Sequence, residues 1–492
     1  MIRPTFALTG CTALLAACTT VGPDYSEPDL PLPARFHNAA PAPAQADLAA
    51  WWRKFNDPML DRLAERALAG NFDVQAAAAR IREARAREAV AGAAGLPRMD
   101  ANASAAHTRI SENAVSPGDI GGGTGGQPGG PAIGLPGTAF ETYRLGFDAS
   151  WEIDLFGGTR RAVEAARSRT GAAIWDGRDL QVSTAAEVAD SYLALRAVQQ
   201  RIAIAEADLA AQQRQAQLVR ARAEGGLIDG LDLRQQQAEV ARAAARMPPL
   251  RAQERELIHA LGILTGAEPG ALYAELSSPA AVPALTPAIP VGLPSDLLRR
   301  RPDIREAERQ LAAATADIGV AVAELYPRIS LTAAPALVSR SLASLLEWGS
   351  RNLNASAGLA WPLFDGGRTR ANVRVADARQ EQALLAYRGV VLRALGDVEN
   401  ALSRSAEGRR QLERLEEAGR AAAAAETLAQ ARYRGGLVTL SDVLIARGRR
   451  LDVEEQLIES RSKLARDTVA LYKALGGGWT EAEGASAAGD RP

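Results

Sequence analysis

Side chains able to attack, chelate or shuttle protons are few in this sequence, and they are poorly placed for it. The three histidines, His37, His107 and His259, are far apart and show no metal-ligand spacing. There is no phosphate-binding P-loop and no nucleophile elbow. Gly121, Gly123 and Gly126 match the G-x-G-x-x-G spacing, but no strand precedes them and no helix follows, so a dinucleotide cradle is not expected. The two cysteines, Cys11 and Cys18, offer one reaction. Arg3 and an apolar stretch from about Phe6 to Ala17 read as a secretory signal over residues 1–17. Leu15-Ala16-Ala17-Cys18 resembles a lipobox, which predicts a diacylglycerol and an N-acyl chain on Cys18. Leu8-Thr9-Gly10-Cys11 fits the same pattern but leaves a very short apolar core, so Cys18 is preferred. A chain processed there has no disulfide and no thiolate cluster. No other cofactor, no metal and no catalysis are expected.

Charge excludes a further class. With 57 basic and 58 acidic residues, the formal net charge is −1, so nothing favours nucleic acid. Acidic residues are interleaved with arginines, as on a solvated helix surface. Thr19 and Thr20 lack the aspartate that retains bacterial lipoproteins at the inner membrane, which makes the outer membrane the expected address.

The element that organises the chain is residues 143–155. Tyr143, Leu145, Phe147, Ala149, Trp151, Ile153 and Leu155 alternate with Arg144, Gly146, Asp148, Ser150, Glu152 and Asp154. Strict alternation predicts a strand with one apolar and one polar face, long enough to cross a bilayer. Arg144, Asp148, Glu152 and Asp154 are then expected to line a lumen.

Residues 18–50 are proline-rich and predict an extended, lipid-anchored tether. Residues 51–270 form a first repeat: helices, strands near 98–110 and 139–156, and a long helical hairpin with its tip near 225–230. Residues 271–295 read as a linker. Residues 296–477 repeat the pattern, with strands near 328–339 and 352–364 and a tip near 435–440; residues 478–492 read as a tail. Asp73 and Asp303 open equivalent helices that end at Pro97 and Pro327, a spacing of 230. Phe156 and Phe364 are 208 apart, so about 22 extra residues fall between the first pair of strands, and the glycine–proline tract at 116–138 supplies them. Four strands cannot close a barrel, and an open edge in lipid leaves backbone groups unsatisfied. A membrane role therefore demands an oligomer.

Several motifs carry a resemblance. Val21-Gly22-Pro23-Asp24-Tyr25, Pro248-Pro249-Leu250, Arg300-Arg301-Pro302-Asp303-Ile304 with Tyr326-Pro327, and Tyr433 with Gly435-Gly436-Leu437 and Asp442-Val443-Leu444 closely resemble the TolC-like outer-membrane efflux lipoproteins of the NodT type. The resemblance covers residues 18 to 477. It implies a mainly α fold that, as a homotrimer, forms a 12-stranded β-barrel continued by an α-helical barrel. It also implies docking of a periplasmic adaptor and, through it, an inner-membrane resistance–nodulation–division transporter. Gly225, Gly226, Leu227, Gly435, Gly436 and Leu437 become adaptor-contact tips, and Asp442 and Tyr433 become gate residues. Val438 and Ile445 stand where the family's best-known member has a gate arginine and a second aspartate, which implies a gate with fewer ionic links. The rival reading is a periplasmic adaptor-type or structural helical lipoprotein; two hairpins and four strands in a duplicated frame argue against it.

Overall fold

The computed structural model describes residues 20–37, 48–111, 139–226, 228–283 and 292–479. Cys18, the signal segment, the glycine–proline tract, Leu227 and most of the tail lie outside the described residues. The described residues form two compact units, the first within 1–27, 83–170 and 309–384, the second within 28–82, 171–308 and 385–492. Among the described residues no helix is long and apolar enough to cross a membrane.

In chain order the regular elements are α1 (Pro58–Gly70), α2 (Phe72–Ala93), β1 (Arg98–Arg109), β2 (Ala139–Ile153), α3 (Gly158–Glu224), α4 (Gly230–Ala245), α5 (Met247–Leu264) and α6 (Tyr273–Leu276). They continue as α7 (Pro294–Arg300), α8 (Pro302–Ala323), β3 (Arg328–Ser339), β4 (Arg351–Ala360), α9 (Arg368–Arg434) and α10 (Leu440–Ala474). Short 3₁₀ turns precede α1 and punctuate the β3–β4 connection. Pro248 and Pro249 fall in the first turn of α5, where their missing N–H groups cost no helical bond. The break they impose therefore sits at Arg246.

The first unit is organised by one antiparallel sheet in the order β1-β2-β3-β4, so β1 and β4 each keep an unpaired edge among the described strands. Register places Leu145 and Ala149 opposite Leu337 and Ala333, and Ile329 opposite Leu359. Residues facing each other across antiparallel strands share a face. One face thus carries Met99 and three alanines of β1, Leu145, Phe147, Trp151 and Ile153 of β2, Ile329, Leu331 and Leu337 of β3, and Leu353 and Leu359 of β4. Both repeats close this sheet in the same way. The Trp151 indole donates to the Gly95 carbonyl and the Trp361 indole to the Leu325 carbonyl, each at 3.0 Å.

The N-terminal chain, expected as an extended tether, is held at its start as a strap. The Val21 amide donates to the Phe156 carbonyl at 3.1 Å. Arg161, only 4% exposed, donates to the Val21 and Gly22 carbonyls and to Asp24 and Glu164 at 2.7–3.2 Å. Gly22 has φ +89°, and a Cβ there would lie 2.4 Å from the Gly319 Cα.

The second unit has its own core. Trp51, Trp52 and Phe55 are buried with Leu60, Leu63 and Ala67 of α1, and Tyr472 of α10 stacks on Trp51 at 5.2 Å. Tyr192 of α3 donates to Asp57, whose other oxygen caps α1 through the Met59 amide. Along α3 the buried positions are mostly small: Ala185, Ala186, Val188 and Ala189. These small residues permit close helix packing beside the fully buried Tyr192, Leu193 and Leu195.

Candidate functional site

The polar face of the sheet is built by register. Asp100 lies opposite Asp148, Ser104 opposite Arg144, Glu152 opposite Ser330, and Thr332 opposite Ser356. Two aspartates directly opposed would repel. Arg98 relieves one, donating to Asp100 at 2.8 Å. Arg144, at 3.1 Å, and the Asn102 amide both donate to Asp148. Thr332 and Ser356 share a hydroxyl hydrogen bond of 2.7 Å. The face is polar and mixed in sign, and its two opposed aspartates are paired within it. Among its described residues no nucleophile is paired with a base.

Arg144, Asp148 and Glu152 lie on this face. Asp154, expected with them, does not. β2 ends at Ile153, and the Asp154 carboxylate accepts from the Thr159 amide at 3.2 Å and the Arg160 amide at 3.0 Å. It caps α3, because parity ceases to predict facing once the strand has ended.

The two tips lie in the second unit. At the first, Gly225 and Gly226 follow α3, with Gly226 at φ +66° and its amide donating to the Ala223 carbonyl. At the second, Gly436 has φ +70°, and the Gly436 and Leu437 amides donate to the Tyr433 and Arg432 carbonyls. Positive φ after a helix end is where glycine is needed. Leu437 is exposed. Asp442 sits in the first turn of α10. Its carboxylate accepts from the Thr439 amide and hydroxyl at 2.9 and 2.7 Å, completing a capping box. Those bonds from Thr439 hold Asp442 below the usual carboxylate range. Tyr433 receives a hydrogen bond of 3.4 Å from Arg222 of α3, which links the two hairpins beside their tips.

Two features of the second unit are marked by no sequence motif. Glu426 of α9 bonds Arg447 at 3.1 Å and also Arg450, both on α10. Burial raises Glu426, but the two guanidinium groups outweigh it and hold it below its ordinary value. Glu426 and Arg447 lie equally far in sequence from the Gly436-Leu437 turn, and that symmetry is the one signal that could have found the pair. Nearby Asp208 of α3 is 8% exposed, and its Oδ1 has no hydrogen-bond partner among the described residues. Burial pushes its carboxyl up, opposed by Arg447 and Arg246. Among the described residues no group of three His, Cys, Asp or Glu is arranged to hold a metal.

A family model described as outer membrane efflux protein matches residues 63–267 and 293–477. The pyoverdine export outer membrane protein OpmQ of Pseudomonas aeruginosa is 32% identical over 473 residues, 95% of this chain and 96% of that protein. Nodulation protein T of Rhizobium leguminosarum bv. viciae is 31% identical over 488 residues, 96% of this chain and 93% of its own. The solved structure of the outer-membrane channel OprN superposes with a TM-score of 0.84 at 36% identity, covering 94% of this chain and 99% of that one.

Proposed function

The chain belongs to the outer membrane efflux protein family, and from that membership we propose that it is the passive exit duct of a tripartite pump. Its family is one of outer membrane efflux proteins, and the solved structure it matches is an outer-membrane channel. The finer reading is ours. Three copies contribute twelve strands, β4 of one pairing with β1 of the next, and so satisfy both open edges. The apolar face meets lipid and the polar face, with Arg144, Asp148 and Glu152, lines water. A periplasmic adaptor grips the tips around Gly225, Gly226, Leu227, Gly435, Gly436 and Leu437, and an inner-membrane transporter supplies the energy. Tyr433 and Asp442 hold the tip end narrow at rest, and acyl chains on Cys18 add a second hold on the membrane.

The observation that carries this reading is the sheet: among the described residues, four strands with two unpaired edges, one face apolar and one polar. A β-sheet can stay in hydrocarbon only when its edges are closed. Its mixed-sign face suits many solutes, so selection falls to the transporter.

Protein extracted from outer membranes should run as a trimer unless heated, and should form water-filled pores in planar bilayers. Asp442→Ala should raise single-channel conductance. An unchanged conductance and voltage response would remove Asp442 from the gate, and a monomer soluble without detergent would remove the barrel itself.

A further inference from the structure

The β3–β4 connection, residues 340–350, inverts the habit of a water-facing loop. Its serines bond within the loop, while Arg340 lies over the Phe140 ring and Glu347 is exposed. Ser339 and Ser344 share a hydroxyl hydrogen bond of 2.8 Å, Ser350 donates to the Ser344 carbonyl at 2.7 Å, and the Ser341 hydroxyl accepts from the Ala343 amide. Of its four large apolar side chains Leu345 is buried, but three point outward: Leu342 is 66% exposed, Leu346 76% and Trp348 77%. A compact, hydrogen-bonded loop that exposes three such groups is built to meet an apolar phase.

Register says which side it meets. Arg351 opens β4 opposite Leu337, on the same face as Leu353 and Leu359. Its Nε donates to the Trp348 carbonyl at 2.7 Å, and its guanidinium lies over the Trp348 ring. Trp348 therefore sits at the margin of the sheet's apolar face, where a cation meets an indole. The opposite margin of that face carries the indoles of Trp151 and Trp361, both anchored to helix-end carbonyls. β4 runs 10 residues between these margins. At about 3.3 Å each and a tilt of roughly 40°, that is about 25 Å, the height of the apolar band on a membrane barrel.

We propose that the β3–β4 connection is a membrane anchor seated in the headgroup layer of the outer leaflet. Leu342, Leu346 and Trp348 reach the acyl boundary, and Arg351 meets the lipid phosphates. Indoles and arginines at such a boundary keep an apolar body in lipid and a polar end in water. The proposal rests on the apolar sheet face being the lipid-facing one.

The test uses the full-length protein in vesicles of phosphatidylcholine brominated near the headgroup end of one acyl chain. Emission of Trp348 is isolated by subtracting the Trp348→Phe protein from the wild type, and emission of Trp361 by subtracting Trp361→Phe. Bromolipid should remove about half of the Trp348 component, and aqueous iodide should leave most of it. Quenching by iodide alone would put the loop in water and overturn the anchor. Protection from both quenchers, lost when the trimer dissociates, would put the loop against a second copy and overturn the anchor as well. If Trp361 is quenched by bromolipid and Trp348 is not, the anchor fails and the barrel stands. If neither responds to lipid, both fall. Leu346→Asp, checked for an intact trimer band, should weaken quenching of Trp348 about twofold, and unchanged quenching would count against the loop's seating.

Discussion

The two repeats pass from strand to helix in the same way, yet one junction is covered and the other bare. Gly157 has φ +80° and Gly367 φ +86°, and each precedes a long helix capped by an aspartate, Asp154 or Asp365. A Cβ on Gly157 would lie 2.6 Å from Thr20, whereas a Cβ on Gly367 would meet nothing within 4 Å. Arg161, which ties down the strap, has Ala371 at the matching place in the second repeat. Duplication therefore explains the backbone, while the N-terminal strap explains the difference. The strap gave one copy a task that the other never acquired.

The largest test of that contrast is Arg161→Ala. It leaves two backbone carbonyls and two carboxylates without their shared donor, at a cost of about 2–4 kcal/mol. Limited proteolysis should then cut within residues 20–27, and the melting temperature should fall. Unaltered protease resistance would mean that the strap holds without its arginine.

Next comes a matched pair. Gly157→Ala and Gly367→Ala should each cost about 1 kcal/mol for the left-handed backbone, with a further 1–3 kcal/mol or so at Gly157 for the collision with Thr20. Comparable thermal shifts in the two variants would show that the strap yields freely, which would dissolve the contrast.

The third test moves to the starts of α2 and α8, in the second unit. Glu306 stands where the first repeat has Ala76. Burial, then Asp176, Asp179 and Asp303, push its carboxyl from 4.5 up to about 7. The folded chain therefore holds a proton that the unfolded chain has lost, so stability declines as pH rises from about 4.5 to 7 and is flat below. After screening by solvent the decline is about 1 kcal/mol. Glu306→Gln should flatten melting temperature against pH over that window, and a slope persisting in the variant would assign it to other groups.

Much of this is legible in the sequence because it is written locally. The alternation over residues 143–155 fixes one strand and both its faces, and the paired motifs expose the duplication. The strap is not legible. Its bonds join residues about 140 apart, and Val21-Gly22-Pro23 reads locally as extended chain whether or not an arginine grips it. Asp154 falls off the expected face because alternation does not announce where a strand stops. Asp442 matches a gate motif, but motif matching does not reveal that its carboxylate already serves Thr439.

The two long helices, Gly158–Glu224 and Arg368–Arg434, are each 67 residues, equal to the residue. Deleting one residue from either would turn everything beyond it by about 100° and draw it back about 1.5 Å relative to its sister. Their lengths are thus locked to each other like paired shafts in a gearbox, and drift in one must be matched in the other. Insertions are free only where no partner counts residues. The connection between β1 and β2 is such a place, and there the first repeat has grown longer than the second.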